Sequence, residues 1–153
     1  MAVEIETPHS LRKWVGREIA ATEWLSISQE CIQSFADVTQ DHQWIHLDRD
    51  RAYRESPFRT TIAHGFLTLS LLSRFIKEAI HIRNGVRMSI NYGLNRVRFP
   101  VPVRADSKVR ARFTLQSLKE LPDALEAVFI ANVESEGNDK PCCVAEWVVR
   151  YYS

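Results

Sequence analysis

From Gly65 to Ile80, apolar residues stand on nearly every side of a helical projection: Phe66, Leu67, Leu69, Leu71, Leu72, Phe75, Ile76, Ala79 and Ile80. Polar Arg74, Lys77 and Glu78 come only near the end. A helix apolar all round is a buried helix, so this segment is predicted to be long, central and covered. After Asn84-Gly85 the period falls to two. Met88, Ile90, Tyr92 and Leu94 alternate, while Val97 and Phe99 take the opposite parity, which a bulge near Gly93 to Arg96 would reconcile. Val109, Ala111, Phe113 and Leu115 alternate with Lys108, Arg110, Arg112 and Thr114. Leu125 to Val133 and Cys143 to Tyr151 supply two more strands, separated by Glu136-Gly137-Asn138-Asp139. One buried helix followed by antiparallel strands implies a curved sheet wrapped around that helix, an α+β layout.

The chain before Gly65 is mostly helix and loop. Ser10 to Gly16 reads as a short helix with Ser10 as N-cap, and Glu18 to Ser26 as a short strand leading into a second helix. Ser28 is a good N-cap for that helix, Glu30 suits its first turn, and Ile32, Phe35, Ala36 and Thr39 form one face. Ala52 and Tyr53 allow another short helix before the Ser56-Pro57-Phe58 breaker.

No Pro/Gly/Ser-rich linker, repeat or low-complexity tract divides the 153 residues, so a single domain is expected over residues 1–153. The formal net charge of +1 sets up no global field for nucleic acid or an anionic membrane. No apolar run is long enough to span a bilayer, and the acidic first residues do not read as a secretory signal. Three cysteines, two of them adjacent, suit no ordinary disulfide framework, and none has zinc-site spacing with histidine. A reducing cytoplasm is the expected setting.

Candidate chemistry gathers at Asp41-His42-Gln43-Trp44-Ile45-His46 and Ala63-His64-Gly65-Phe66-Leu67. The first places a carboxylate and an imidazole five residues apart on a loop, suited to sharing one water as acid and base. The second puts Gly65 at a helix start, where N–H groups lack internal partners and developing negative charge is favoured. Blander roles exist for each. Asp41 could cap a turn, His46 could be a satisfied loop histidine, and Gly65 could serve close packing. His64 could hold the loop through a ring hydrogen bond, and His42 reads as exposed. Ser70 and Ser73 read as bonded back to the preceding turn, or as pocket hydroxyls. Among Arg96, Arg98, Arg104, Lys108, Arg110 and Arg112 some could meet phosphates, although solvated exposure is the usual fate of such charges.

Three segments resemble the MaoC-like dehydratases, in the branch of the nodulation protein N-like (R)-specific enoyl-CoA hydratases. They are Thr39 to His46, Thr61 to Thr68 and Asn91 to Phe99. Gln43-Trp44 replaces the more general Asn-Pro, and Gln40 stands where the family usually has glycine. The resemblance implies a homodimeric hot-dog fold that hydrates trans-2-enoyl-CoA or runs the reverse dehydration. It implies Asp41, His46 and Gly65 as the catalytic set, an acyl-CoA substrate, no cofactor and no metal. The rival readings are a hot-dog thioesterase, whose water attacks the carbonyl, and a non-catalytic acyl-CoA-binding module.

Overall fold

A computed structural model describes residues 1–153. The long strands sit where the alternation places them. Six strands form one antiparallel sheet: β2 (Arg17–Ala21), β3 (Leu25–Ile27), β5 (Met88–Arg98), β6 (Ser107–Glu120), β7 (Leu125–Ser135) and β8 (Cys143–Tyr152). The order is β2-β6-β7-β8-β5, with β3 also paired to β6. Val109, Ala111, Phe113 and Leu115 turn inward and are fully buried, and the intervening basic residues face out. Phe113, Phe129 and Trp147 meet across β6, β7 and β8 with ring centroids 6.2–6.4 Å apart.

Helix α1 (Gln29–Thr39) starts at Ser28, whose Oγ accepts the Cys31 N–H at 3.1 Å. It buries Ile32 and Ala36. It ends at Gln40, which adopts the left-handed conformation at φ 60°. This is the position where the family usually has glycine. A side chain there costs on the order of 1 kcal/mol, which the loop accepts in order to turn toward Asp41. Two short helices follow, α2 (Trp44–Leu47) and α3 (Arg49–Glu55), the latter capped by Asp48.

The central helix differs from the expectation in two respects. It is two pieces, α4 (Gly65–Ser70) and α5 (Leu72–Ala79), joined at Leu71. It is also not covered all round. Leu67, Leu72, Phe75 and Ala79 pack against the sheet, while Phe66 is 70% exposed and Leu69, Leu71 and Ile76 are half-buried. Leu69, Leu71 and Ile76 still touch the core, and Phe66 meets the Phe99 ring edge-on at 6.3 Å between centroids. Sheet and helix otherwise form the hot-dog arrangement.

Three further corrections are local. The first helix is a 3-10 helix over Pro8–Trp14 that begins after Thr7, so Ser10 lies inside it. Strand β5 carries two irregularities, between Asn91 and Gly93 and between Leu94 and Arg96, where one bulge was expected. The segment after α5 is not helix: β4 (Ile80–Ile82) pairs in parallel with β1 (Val3–Ile5). No helix is long and apolar enough to cross a membrane.

Candidate active site

The segment Thr61–Ala63 is pinned to Val103–Ala105 by the Ala63 N–H to Val103 carbonyl and the Ala105 N–H to Thr61 carbonyl, at 2.7 and 2.9 Å. Ile62 in turn donates its N–H to the Ile45 carbonyl at 3.0 Å. That last bond draws the Asp41–His46 segment against the start of α4. His46 lies on α2 rather than on an open loop, and it is 6% exposed.

The His46 ring has a defined tautomer. Its Nδ1 is 2.7 Å from the Ile62 carbonyl oxygen, which can only accept, so Nδ1 carries the proton and Nε2 keeps its lone pair. Burial lowers the His46 pKa below its ordinary 6.5. The Ile62 bond works against that shift, the neighbouring His64 adds to it, and Asp41 opposes it. The balance favours the neutral base.

Asp41 faces solvent on the other side, with its side chain 54% exposed. Its Oδ1 accepts the Gln43 N–H at 3.3 Å, and its carbonyl accepts a hydrogen bond from His64 Nε2 at 3.0 Å. One donor atom from each of Asp41, His46 and His64 lies within 4.8 Å of the others. A water can bridge such groups. The same trio is the one cluster in the chain that could hold a cation, although one nitrogen of each ring is already committed to a carbonyl.

Gly65 opens α4, and its N–H meets no acceptor in the chain. A Cβ placed there would lie 3.2 Å from the Phe99 ring, so the packing role of this glycine is real as well. Both roles are compatible, because the crowded side belongs to Cα and the free donor to the backbone nitrogen.

Residues 11–138 match the MaoC like domain family. The chain belongs to the MaoC-like dehydratases. It is 46% identical over 147 residues to 3-hydroxyacyl-thioester dehydratase Z of Mycobacterium tuberculosis, covering 95% of this chain and 96% of that protein. It is 43% identical over 135 residues to nodulation protein N of Rhizobium leguminosarum bv. viciae, covering 88% and 84%. Among solved structures, the unliganded R-hydratase PhaJ1 from Pseudomonas aeruginosa superposes with a TM-score of 0.72 at 25% identity, covering 91% of this chain and 82% of that one. The (R)-hydratase from A. caviae superposes with a TM-score of 0.69 at 25% identity, covering 86% and 95%.

In this MaoC-like chain, the structure brings Asp41, His46 and His64 together at the start of α4. His42 is not part of the group. It turns to α1, where its Nε2 lies 2.9 Å from Asp37 Oδ1, and that hydrogen bond lowers the Asp37 pKa. Ser70 bonds back to the Leu67 carbonyl at 2.7 Å. Ser73 instead accepts the Asn91 amide at 3.1 Å and so ties α5 to β5. Arg110 and Arg112 pair with Glu134 and Glu18 on the outer sheet face, which leaves them engaged by carboxylates. Two residues not foreseen hold the site from behind. Gln29 donates to the His46 carbonyl at 2.7 Å, and the fully buried Thr61 hydroxyl donates to Gln29 Oε1. The only sequence signal for Gln29 was its place beside the Ser28 cap.

A half-open hollow of about 360 Å³ runs between α5, β4, β5 and β8, lined in part by Ile76, Ile80, Val86, Trp147 and Val149. A second, of about 300 Å³, shares Ser73, Asn91 and Trp147 with it and reaches Leu69 on α4.

Proposed function

We propose that this chain is an (R)-specific enoyl-thioester hydratase that also runs the reverse dehydration, with Asp41, His46 and Gly65 as its catalytic residues. The observation that carries the reading is a buried His46 with its Nε2 left bare and its ring within 4.8 Å of Asp41, gathered with His64 at the start of the helix whose first N–H, that of Gly65, is free. Water sits between carboxylate and imidazole. His46 Nε2 takes one water proton as the oxygen bonds to the β-carbon of the trans-2-enoyl thioester, and Asp41 accepts the second O–H and orients the molecule. The displaced π electrons move toward the thioester oxygen, where the Gly65 N–H meets the developing charge. The imidazolium then returns its proton to the α-carbon on the same face, giving a syn addition. Every atom of the product comes from thioester and water, so the step balances without a cofactor.

Dehydratase Z carries the 3-hydroxyacyl-thioester in its own name, and that substrate class comes to this chain on 46% identity over nearly its whole length. We take acyl-CoA as the carried form, the two hollows beside α4 and α5 as room for the acyl chain, and one domain as the working unit. The three unpaired cysteines support a cytoplasmic setting. We also read the enzyme as a homodimer. Strand β5 is an eleven-residue sheet edge with Ile90, Tyr92 and Leu94 exposed, and Phe66 stands uncovered on the helix beside it. Edges of that length and character are normally covered.

The test is incubation with crotonyl-CoA, following loss of the conjugated thioester absorbance alongside free thiol. Loss of conjugation without thiol release is expected. Thiol release without hydration would make the protein a thioesterase, and binding without turnover would make it a carrier of the acyl-CoA.

A further inference from the structure

His64 is among the most buried polar residues of the chain, at 3% exposure, and it carries an unpaid hydrogen-bonding cost. Its Nε2 must be the protonated nitrogen, because its partner at 3.0 Å is the Asp41 carbonyl oxygen. Its Nδ1 is therefore a bare acceptor, buried and with no partner. A phenylalanine would fill the same space without that penalty. The imidazole is explained by what its two other surfaces do.

Its face lies on His46, with ring centroids 3.7 Å apart and planes 23° from parallel. Its edge holds the main chain of Asp41. Its backbone caps α4, whose first N–H is that of Gly65. The elements packed around it bring Phe35 of α1 at 4.9 Å, His46 of α2, and the Asp41 carboxylate, whose Oδ2 is 3.9 Å from Nε2. His46 and Asp41 are thus the titratable groups that face it.

We propose that His64 is the positioning residue of this site: its Nε2–H fixes Asp41, its ring face fixes His46, and so one side chain sets the spacing of the two groups that share the water. This rests on the hydratase reading above, but the geometry it describes exists without substrate. The neutral tautomer is essential to the role. A proton on Nδ1 would have no acceptor there, and its charge would lie face to face with the imidazole that must become cationic during turnover. His64 touches neither water nor thioester in this account. It acts through the two residues that do.

His64→Phe keeps a flat ring against His46 and removes the donor to Asp41. His64→Gln keeps an amide N–H for the Asp41 carbonyl and removes the ring. Both are examined by kcat and KM with crotonyl-CoA and by NMR titration of the 15N-labelled His46 imidazole in the full chain without substrate. His64→Phe is expected to lower kcat by about tenfold or more with KM within about threefold, since misplaced catalytic groups cost rate more than binding. His64→Gln should recover part of that loss. In both variants the His46 titration should move upward, because the neighbouring imidazole that competes for positive charge has gone. The loss of kcat at nearly constant KM, with partial rescue by His64→Gln, is what a merely space-filling side chain would not give. An unmoved His46 titration overturns the proposal whatever the kinetics, and so does a His64→Phe enzyme within about threefold of the parent kcat. If His64→Phe does not fold, the same two readings apply to His64→Gln. Should the parent protein fail to hydrate crotonyl-CoA at all, the functional reading falls, while an unmoved His46 titration would still by itself overturn the role given to His64.

Discussion

The Gln29 side chain donates to the main-chain carbonyl of His46 at 2.7 Å and receives the Thr61 hydroxyl in return. The first residue of α1 thereby clamps the backbone of the proposed base, while the Ile62 carbonyl clamps its ring. His46 is held at both ends by groups that are themselves tied to the Val103–Asp106 segment leading into β6.

Gln29→Leu should break that clamp. It leaves the buried Thr61 hydroxyl and the His46 carbonyl without partners, a cost of about 1–3 kcal/mol. The urea midpoint should fall accordingly, and kcat should drop by about tenfold with little change in KM. Thr61→Val should show the same direction of effect. A Gln29→Leu enzyme with unchanged kcat would mean that the clamp does not set the position of His46.

The proposed pair can be titrated as well as mutated. Asp41→Asn and His46→Gln should each lower kcat by about a hundredfold or more. Hydration needs neutral His46, and burial lowers its pKa below 6.5, so the acid limb of kcat/KM should lie below pH 6.5. Folding stability follows the same group. The unfolded chain binds this proton more readily, so the His46 contribution is fully present above 6.5 and is lost as pH falls through the lower folded pKa. His46→Gln should flatten both dependences over that window. A parent acid limb above pH 6.5 would contradict the assignment of His46.

Gln40 sits at φ 60° and is the last residue before Asp41. Gln40→Gly should relieve the left-handed strain, partly offset by the greater freedom of glycine in the unfolded chain. A net gain of up to about 1 kcal/mol in urea unfolding is expected, with kcat within about twofold of the parent. Destabilisation would show that the glutamine side chain does more than tolerate the turn.

How much of this was legible differs from element to element. Strands β6, β7 and β8 were plain because their inward residues, such as Phe113, Phe129 and Trp147, alternate against one core over most of their length. The α1 start was plain because Ser28 caps it locally. Strand β4 was not: Ile80 and Ile82 continue the apolar helical run, and only parallel pairing with Val3–Ile5, far away in sequence, makes them a strand. The exposed face of α4 and α5 was read as buried because periodicity reports where apolar residues fall without saying what lies against them. Asp41, His46 and Gly65 stood out by type and spacing. Gln29 and Thr61 did not, since a buried hydrogen bond between distant ordinary residues leaves no local pattern. His64 was visible as a residue, but its stack on His46 is a purely tertiary fact.

The uncovered apolar surface makes its own prediction. A dimer through the β5 edge would bury Ile90, Leu94 and Phe66. The parent protein should therefore elute with twice the mass of its 17.7 kDa chain in size-exclusion light scattering. Ile90→Glu combined with Leu94→Glu should convert it to monomer, because charges opposed across a paired edge destabilise it. A parent protein that is monomeric at micromolar concentration would refute the dimer.

The delivery of water by Asp41 and His46 to the one face of the enoyl chain that gives the (3R) product is tested most directly by the configuration of that product. The protein is incubated with trans-2-enoyl-CoA, and the hydrated product is offered separately to (R)-specific and (S)-specific 3-hydroxyacyl-CoA dehydrogenases. Signal is expected with the (R)-specific enzyme alone, abolished by His46→Gln. Signal with the (S)-specific enzyme alone would contradict it.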